Sequence, residues 1–169
     1  MGQPKLMTKG GGIPCYAHNM TTLHMICGLP GSGKTTLALK LEKEHQALRL
    51  TPDEWMFRIV GDGYDEDKRE EVEKVQWEIA KKVLSFGVDV ILENGFWSKR
   101  ERDEFRAGAK ALGAKTKLYY LAVPFEELWV RLEKRNHSLP KYSFPVKRQD
   151  LKKWTKLFEA PTEAELKSE

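Results

Sequence analysis

The sequence predicts an α/β protein built on a small parallel β-sheet of four or five strands, with helices on both faces. Three observations support this fold class. Short apolar runs alternate with longer segments in which apolar residues recur every three or four positions. Runs such as VDVILE (88–93) are largely apolar, as expected of parallel strands that are buried on both faces. A helical segment separates each strand from the next, which favours right-handed crossovers between parallel strands.

The elements follow one another in a regular order. Strands are predicted over residues 21–27, 47–50, 88–93 and 115–123. Helices are predicted over residues 33–45, from 51 onward, and over 67–86, 98–112, 124–135 and 146–158. Thr51 and Ser98 are expected to cap two of these helices, with Pro52 at the first helical position after Thr51. Residues 61–66 and 136–145 are predicted to be loops.

Composition limits the class of protein. The 169 residues are 40% hydrophobic and 32% charged, which indicates one compact domain with a real core. Every apolar run is far shorter than the roughly 20 residues that span a bilayer, so we expect no membrane association. The two cysteines, Cys15 and Cys27, do not make a disulfide framework, so we expect a reducing, cytoplasmic location. The four histidines show no metal-ligand spacing with these cysteines, so no site of that kind is expected.

The first nineteen residues differ in character from the rest. They contain three consecutive glycines and two prolines, and they lack a continuous apolar stretch. We therefore expect residues 1–19 to be a flexible arm, or an extension that precedes a natural start at Met20. The predicted functional domain occupies residues 20–169.

A glycine-rich segment joins the first strand to the first helix and matches the phosphate-binding pattern G-x-x-x-x-G-K-[ST] at every defined position. Glycines let successive main-chain amides point at phosphate oxygens, and the start of the helix adds the positive end of its dipole. Lys34 is expected to reach the β- and γ-phosphates, and the Thr35 hydroxyl to ligate Mg²⁺. The predicted nucleotide contacts are Gly28, Pro30, Gly31, Ser32, Gly33, Lys34, Thr35 and Thr36.

This loop places the chain in the P-loop NTPase fold and narrows the activity. A GTPase needs a guanine-reading motif of the N/T-K-x-D type, which is not present. A transporter-type ATPase needs its own signature, and a ring-forming ATPase needs a further helical lid domain. A small phosphotransferase that uses ATP and Mg²⁺ fits the length of the chain.

Such an enzyme needs a base, a second acid near the metal and cations over the transferred phosphate. Asp53 follows the second strand by three residues and is the predicted base. Glu93 ends the third strand and is a predicted metal ligand. Arg131 and Arg135 lie one helical turn apart, and they are predicted to act from a closing lid at about residues 131–147.

Other residues are candidates for contacts with the substrate. Arg58 is expected to hold an anionic group, Trp97 to form an apolar wall, and Arg102 to point at the site from the next helix. The segment 131–156 carries nine basic and two acidic side chains, against a net charge of +4 for the whole chain. A basic flap of this kind suits an anionic ligand such as a nucleotide.

An ordered set of sequence blocks resembles the small P-loop kinase-like ATP-binding proteins, which are similar in plan to polynucleotide 5′-kinases, zeta-toxins and chloramphenicol phosphotransferases. The blocks are GLPGSGKTTLA, LTPDEWM, VILENGFWSKRERDEFRAGAKALGA, LYYLAVPFEELWVRLEKRN and FEAPTEAEL. The resemblance covers about residues 20–166 and implies transfer of the γ-phosphate of ATP to a hydroxyl, with Mg²⁺. It places the base on Asp53 and the lid arginines on Arg131 and Arg135. That family usually has aspartate where this chain has Glu93, which leaves open whether Glu93 contacts the metal directly or through water.

We therefore expect an ATP-dependent kinase that phosphorylates a hydroxyl of a small molecule. One alternative is a 5′-hydroxyl polynucleotide kinase, which the basic segment 131–156 suggests. This alternative ranks lower because the segment has few aromatic side chains placed for stacking on bases. A second alternative is a nucleotide-binding regulator that transfers no phosphate. The sequence leaves undecided which acceptor is used and whether the protein is a monomer or a dimer.

Overall fold

The computed structural model describes residues 20–167, so the predicted arm at 1–19 lies outside the described residues. All strand pairings are parallel, and the strand order is β2-β3-β1-β4. The four strands are Thr22–Cys27 (β1), Leu48–Leu50 (β2), Val90–Gly95 (β3) and Lys115–Tyr120 (β4). The predicted α/β class and the small parallel sheet are confirmed.

Helices connect the strands and cover the sheet. They are Lys34–His45 (α1), Pro52–Trp55 (α2), Glu66–Ser85 (α3), Lys99–Ala111 (α4), Phe125–His137 (α5), Arg148–Leu157 (α6) and Glu163–Lys167 (α7). Residues Met56–Val60 continue α2 as a wider π-helical turn. Ser98 caps α4 as predicted, since its Oγ accepts a hydrogen bond from the Glu101 amide at 3.1 Å. Thr51 holds the N-cap position of α2, but its side chain makes no capping hydrogen bond.

Several element boundaries differ from the prediction by one to three residues, including those of β3 and β4. β3 starts two residues late because Gly87 closes α3 in a left-handed turn with φ +85°. The strand then runs on to Gly95, whose carbonyl accepts a hydrogen bond from the Gly28 amide at 3.0 Å. β4 ends at Tyr120, three residues earlier than expected. The short helix α7 was not predicted, and its five residues are too few for an apolar period to show.

Apolar side chains fill both faces of the sheet. The face under α1 is packed by one cluster: Ile26, Ala38, Leu41, Ala47 and Ile91. The face under α3 and α4 is packed by a larger cluster that includes Leu23, Met25, Ala80, Leu84, Leu92, Phe96 and Ala109. Burying each large aliphatic side chain contributes about 1.5–3 kcal/mol, so these two layers dominate the stability of the sheet. Cys27 lies among them as a buried free thiol, and burial raises its pKa to about 12.

A third apolar cluster fastens the C-terminal helices to the glycine-rich loop. It consists of Leu29, Leu128, Leu132, Val146 and Leu151. Leu29 lies within the loop, so the position of α5 and α6 is coupled to the position of the loop itself. Because all strands are parallel, their carboxyl ends meet at one edge, where ligands bind in folds of this type.

No helix within residues 20–167 combines the length and the apolar character needed to cross a membrane.

Candidate active site

The glycine-rich loop has the backbone that a phosphate cradle requires. Gly31 and Gly33 have φ +83° and φ +99°, the left-handed region that favours glycine. A Cβ on Gly31 would lie 2.9 Å from Leu132 Cγ, so this position also needs the absence of a side chain. Gly33 is the N-cap residue of α1, and the first amides of that helix have no acceptor within it. The loop therefore presents main-chain donors at the start of a helix, which is an anion-binding arrangement.

Lys34 lies at the first position of α1, beside the cavity at the carboxyl edge of the sheet. Its ammonium Nζ donates a hydrogen bond to the Leu29 carbonyl at 3.1 Å. Burial lowers the pKa of Lys34, while the charges of Glu93 and Asp53 act in the opposite direction. A partly desolvated cation that lies near two carboxylates is placed to bind an anionic ligand strongly.

Thr35 and Glu93 are in direct contact. The Thr35 hydroxyl donates a short hydrogen bond to Glu93 Oε1, and Arg49 Nη1 lies 3.3 Å from Glu93 Oε2. Burial raises the pKa of Glu93, although Thr35, Lys34 and Arg49 all oppose the shift. A hydroxyl and a carboxylate form the hard oxygen donor set that Mg²⁺ prefers, so these residues fit that ion.

Arg49 is a site residue that the sequence reasoning missed. It lies in the middle of β2, and its guanidinium joins three acids: Glu42 at 3.5 Å, Glu54 at 3.2 Å and Glu93 at 3.3 Å. Only 15% of its side chain is exposed. The signal was a charged residue in the middle of the short apolar strand LRL, where an unpaired charge would be costly.

Asp53 lies in the first turn of α2 and lines the cavity opposite the loop. Its Oδ1 accepts a hydrogen bond from Arg69 Nη2 at 2.7 Å, and 58% of the side chain is exposed. Arg69 comes from α3 and also contacts the Gly63 carbonyl at 3.4 Å. The arginine therefore orients a carboxylate that remains open to the cavity. Sequence reasoning missed Arg69, because the contact joins two elements across a loop.

Arg131 and Arg135 both line the cavity from α5. Arg131 Nη1 lies 3.4 Å from the Gly31 carbonyl, and the other terminal nitrogen pairs with Glu127. Arg135 donates to the Phe144 carbonyl at 3.1 Å, and its Nε is buried without a partner among the described residues. Burial lowers the pKa of Arg135. Arg131 thus contacts the loop, whereas Arg135 holds the segment that follows α5.

Aromatic side chains form part of the wall of the cavity, which has a volume of about 830 Å³. The ring of Trp154 lies 5.9 Å from Trp97 and 6.2 Å from Tyr64, centroid to centroid. Trp97 lines the cavity, and its role as a wall of the substrate site stays a prediction. Tyr64 and Trp154 were missed because they come from a turn and from α6, which are far apart in the sequence.

Carboxylates lie beside this aromatic wall. Glu73 and Glu101 line the cavity from α3 and α4, and Glu101 accepts a hydrogen bond from the Trp97 amide at 2.9 Å. Burial raises the pKa of Glu73 to about 7 and also raises the pKa of Glu101. Two parts of the cavity wall therefore differ in composition: Lys34, Arg131 and Glu93 lie at the loop, whereas aromatic rings lie together with Glu73 and Glu101.

Two predicted substrate contacts lie elsewhere. Arg58 is not among the residues that line the cavity; it pairs with Glu54 at 2.8 Å and donates to the Tyr142 hydroxyl at 2.6 Å. The placement of Arg102 was wrong, because this side chain is fully buried away from the cavity. Its Nε and Nη2 bind Glu165 of α7 at 2.8 and 3.3 Å. Arg102 therefore holds the C-terminal segment in place. Its role was mispredicted because its partner lies on α7, a helix that was not predicted.

Comparison with known proteins supports the fold and the loop. A family model for an AAA domain (AAA_33) matches residues 23–161. A chain of the Pnkp1/Rnl/Hen1 RNA repair complex is 23% identical with a TM-score of 0.71; the match covers 85% of this chain and 45% of that one. The present chain thus spans less than half of that relative.

Two solved structures match over most of both chains. A putative kinase from Chloroflexus aurantiacus is 17% identical with a TM-score of 0.67, over 85% of this chain and 82% of that one. A gluconokinase from Sinorhizobium meliloti is 15% identical with a TM-score of 0.58, over 86% and 78%. At these identities the likeness concerns the fold, which is the one that the resemblance to small P-loop kinase-like proteins implied. Through residues 23–161, the chain belongs to the AAA domain family.

Proposed function

We propose that this protein is an ATP-dependent phosphotransferase that moves the γ-phosphate of ATP to a hydroxyl of a small molecule. One observation carries the proposal: Lys34 and Asp53 line the same cavity from two different strand ends. The first belongs to a phosphate-binding loop, and the second is a carboxylate open to the space beyond it. This is the pair of groups that phosphoryl transfer to an alcohol needs. The kinase names of the structural matches agree with it.

The loop end of the cavity would hold the nucleotide. The main-chain amides of Gly31, Gly33 and Lys34 and the Lys34 ammonium would bind the phosphates, while Arg131 approaches from α5. Thr35 and Glu93 would hold Mg²⁺, with Glu93 acting directly or through water. When bound, that ion neutralises charge on the β- and γ-phosphates.

The chemical step follows from the position of Asp53. The acceptor oxygen forms a bond to the γ-phosphorus, and the bond between that phosphorus and the β–γ bridging oxygen breaks to release ADP. The Asp53 carboxylate takes the proton that the acceptor hydroxyl loses. Arg69 orients Asp53 for this transfer, and Arg131 and Arg135 counter the negative charge on the moving group.

The aromatic and acidic part of the cavity wall favours a particular class of acceptor. Trp97, Trp154 and Tyr64 offer ring faces, and Glu73 and Glu101 add acidic groups beside them. Rings of this kind attract cations as well as apolar surfaces. A neutral or cationic alcohol, such as an amino alcohol, an aminoglycoside or a nucleoside, fits this lining better than a polyanion.

A 5′-hydroxyl polynucleotide kinase is the second candidate, and the rim of the cavity favours it. The Tyr142 ring lies 4.6 Å from the Arg58 guanidinium carbon and 4.8 Å from Lys141 Nζ. An aromatic ring flanked by two cations can stack a base and bind the adjacent phosphate. The acidic groups deeper in the cavity oppose a polyanion, so we rank this function second.

The proposal is tested by γ-labelled ATP and a panel of nucleosides, sugars, aminoglycosides and 5′-hydroxyl oligonucleotides. With an accepted substrate, Asp53→Asn should keep ATP affinity and lose about 100-fold or more in kcat, because a positioned general base contributes about 10²–10⁴-fold. Asp67→Asn is the matched control, since Asp67 is an exposed acid that does not line the cavity.

Three outcomes would change the assignment. ATP binding without transfer to any acceptor would indicate a nucleotide-binding regulator. Activity that survives Asp53→Asn but is lost in Glu73→Gln would move the base to Glu73. Transfer to oligonucleotides alone, with binding that weakens steeply as salt rises, would favour the polynucleotide kinase.

A further inference from the structure

Three metal-ligating side chains meet at the amino edge of the sheet, on the opposite side from the cavity. His24 lies on β1, His45 is the last residue of α1, and Asp89 directly precedes β3. One ligand atom of each side chain lies within 4.8 Å of the others. Among residues 20–167, this is the only group of three or more histidine, cysteine, aspartate or glutamate side chains whose ligand atoms lie this close together. The spacing of histidines and cysteines in the sequence gave no sign of it.

The strand pattern explains why these residues meet. Side chains alternate between the two faces of a sheet, and Ile26 and Ile91 both pack under α1. His24 and Asp89 each lie two positions earlier and therefore share that face. The end of α1 then brings His45 over the same edge, with its ring 4.5 Å from the ring of His24, centroid to centroid.

The distance between the ligand atoms of His24 and Asp89 suits a shared ion better than a hydrogen bond. His24 Nε2 lies 3.5 Å from Asp89 Oδ2. Protein N–H···O hydrogen bonds have distances of about 2.7–3.2 Å. Two ligands on a tetrahedral zinc ion, each about 2.0–2.1 Å from the metal, lie about 3.4 Å apart.

Neighbouring groups already orient the two inner ligands. The Tyr119 hydroxyl lies 3.0 Å from His24 Nδ1, which leaves Nε2 facing Asp89. The Thr22 amide donates to Asp89 Oδ1 at 2.8 Å, which leaves Oδ2 facing His24. Outer contacts of this kind fix the tautomer of a histidine ligand and the orientation of a carboxylate ligand in metal sites.

The site is also accessible. His24 is 2% exposed, whereas Asp89 keeps a quarter of its side chain in solvent and His45 is exposed, so an ion can enter from one side.

We propose that His24, His45 and Asp89 bind one Zn²⁺ ion, with water as the fourth ligand. The ion ties the end of α1 to the amino ends of β1 and β3. Since α1 begins at the phosphate-binding loop, the ion secures the helix whose other end holds the nucleotide. The site is separate from the cavity and does not depend on the proposed function.

The direct test is a zinc titration of the metal-free full chain against a fluorescent chelator. We expect one Zn²⁺ per chain with micromolar or tighter affinity. His45→Ala and Asp89→Asn should each weaken that affinity at least tenfold. His137→Ala is the matched control, because His137 is also an exposed histidine at the end of a helix and lies outside this group. Zinc should raise the melting temperature of the wild type and leave that of His45→Ala unchanged.

Two further variants keep the result unambiguous. The double variant Cys15→Ser, His18→Ala removes two other zinc-ligating side chains. Lys34→Ala disables the phosphate-binding loop. Both variants should still bind one Zn²⁺ per chain. The proposal is overturned if the folded wild type binds no zinc at micromolar concentration. It is also overturned if binding disappears in the double variant, or if His45→Ala and Asp89→Asn bind as the wild type does. Each of these results would leave a simple hydrogen bond between His24 and Asp89.

Discussion

Buried carboxylates in two regions of this molecule behave in opposite ways. In the brace formed by Arg102 and Glu165, hydrogen bonds from Arg102 lead the effects that lower the pKa of Glu165 to about 2. In the cavity, burial raises the pKa of Glu73 to about 7 and raises that of Glu93 as well. In the brace, two hydrogen bonds from Arg102 offset the cost of burying the Glu165 charge. In the cavity, much of the cost of burying the charges of Glu73 and Glu93 is not offset.

This difference separates a structural pair from a candidate functional site. Arg102 donates to both oxygens of Glu165 and to the carbonyls of Phe96 and Glu159, so every part of the pair has a partner. In the cavity, Asn94 Oδ1 and Arg135 Nε are buried with no partner among the described residues. Unpaired polar groups around shifted carboxylates are typical of sites that bind a ligand.

The largest expected effect comes from removing one side of the brace. Arg102→Ala should lower the free energy of unfolding by about 3–5 kcal/mol, because it leaves a buried carboxylate without its partner. Chemical denaturation measures this. Arg100→Ala is the control on the same helix: Arg100 is 88% exposed and pairs with Glu104, so its removal should change the free energy of unfolding very little. Equal losses in the two variants would contradict the structural role of Arg102.

Acid should weaken the brace next. The pKa of Glu165 is lowered on folding, so its stabilising contribution is present above about pH 5 and is lost as the pH falls toward 2. We expect about 3 kcal/mol of stability to depend on this group. Denaturation curves of Glu165→Gln should show a shallower loss between pH 5 and pH 2 than the wild type does. If the wild type and Glu165→Gln lose stability in parallel between pH 5 and pH 2, the ion pair between Arg102 and Glu165 is not formed.

A smaller effect of opposite sign is expected in the cavity. The pKa of Glu73 rises on folding to about 7, so its cost is absent below about pH 4 and complete above about pH 8. Glu73→Gln should therefore be more stable than the wild type at pH 8, by about 1–2 kcal/mol, and equally stable at pH 4. The comparison is made by denaturation at the two pH values. A variant that is less stable at pH 8 would refute the stated environment of Glu73.

The sequence predicts the contiguous and periodic parts of this fold well. Four strands, the loop after β1 and the cap at Ser98 can all be read from neighbouring residues, because each depends on local geometry. Asp53 and Arg131 were found by their distance from a strand end or by helical spacing. Each of these signals lies within one or two elements of the chain.

The missed features depend on contacts between distant elements. Arg69 reaches Asp53 from another helix, and Arg49 joins acids from three segments. The misplacement of Arg102 has the same cause, since its partner Glu165 lies 63 positions away on a helix too short to predict. One available signal was not used: Arg102, Phe105 and Ala109 recur at three- and four-residue steps, which marks the buried face of α4.

The central claim is that the glycine-rich loop binds the phosphates of ATP through Lys34. Calorimetric titration of the metal-free and the Mg²⁺-loaded full chain with ATP tests it, using Lys34→Ala and, as the control on the same helix, Lys40→Ala. Lys40 is 68% exposed and pairs with Glu44, away from the cavity. We predict one ATP per wild-type chain, an unchanged affinity in Lys40→Ala, and a loss of about 10–100-fold in Lys34→Ala, the value of a charged hydrogen bond. No heat of binding in the wild type, or equal affinity in Lys34→Ala, would contradict the account.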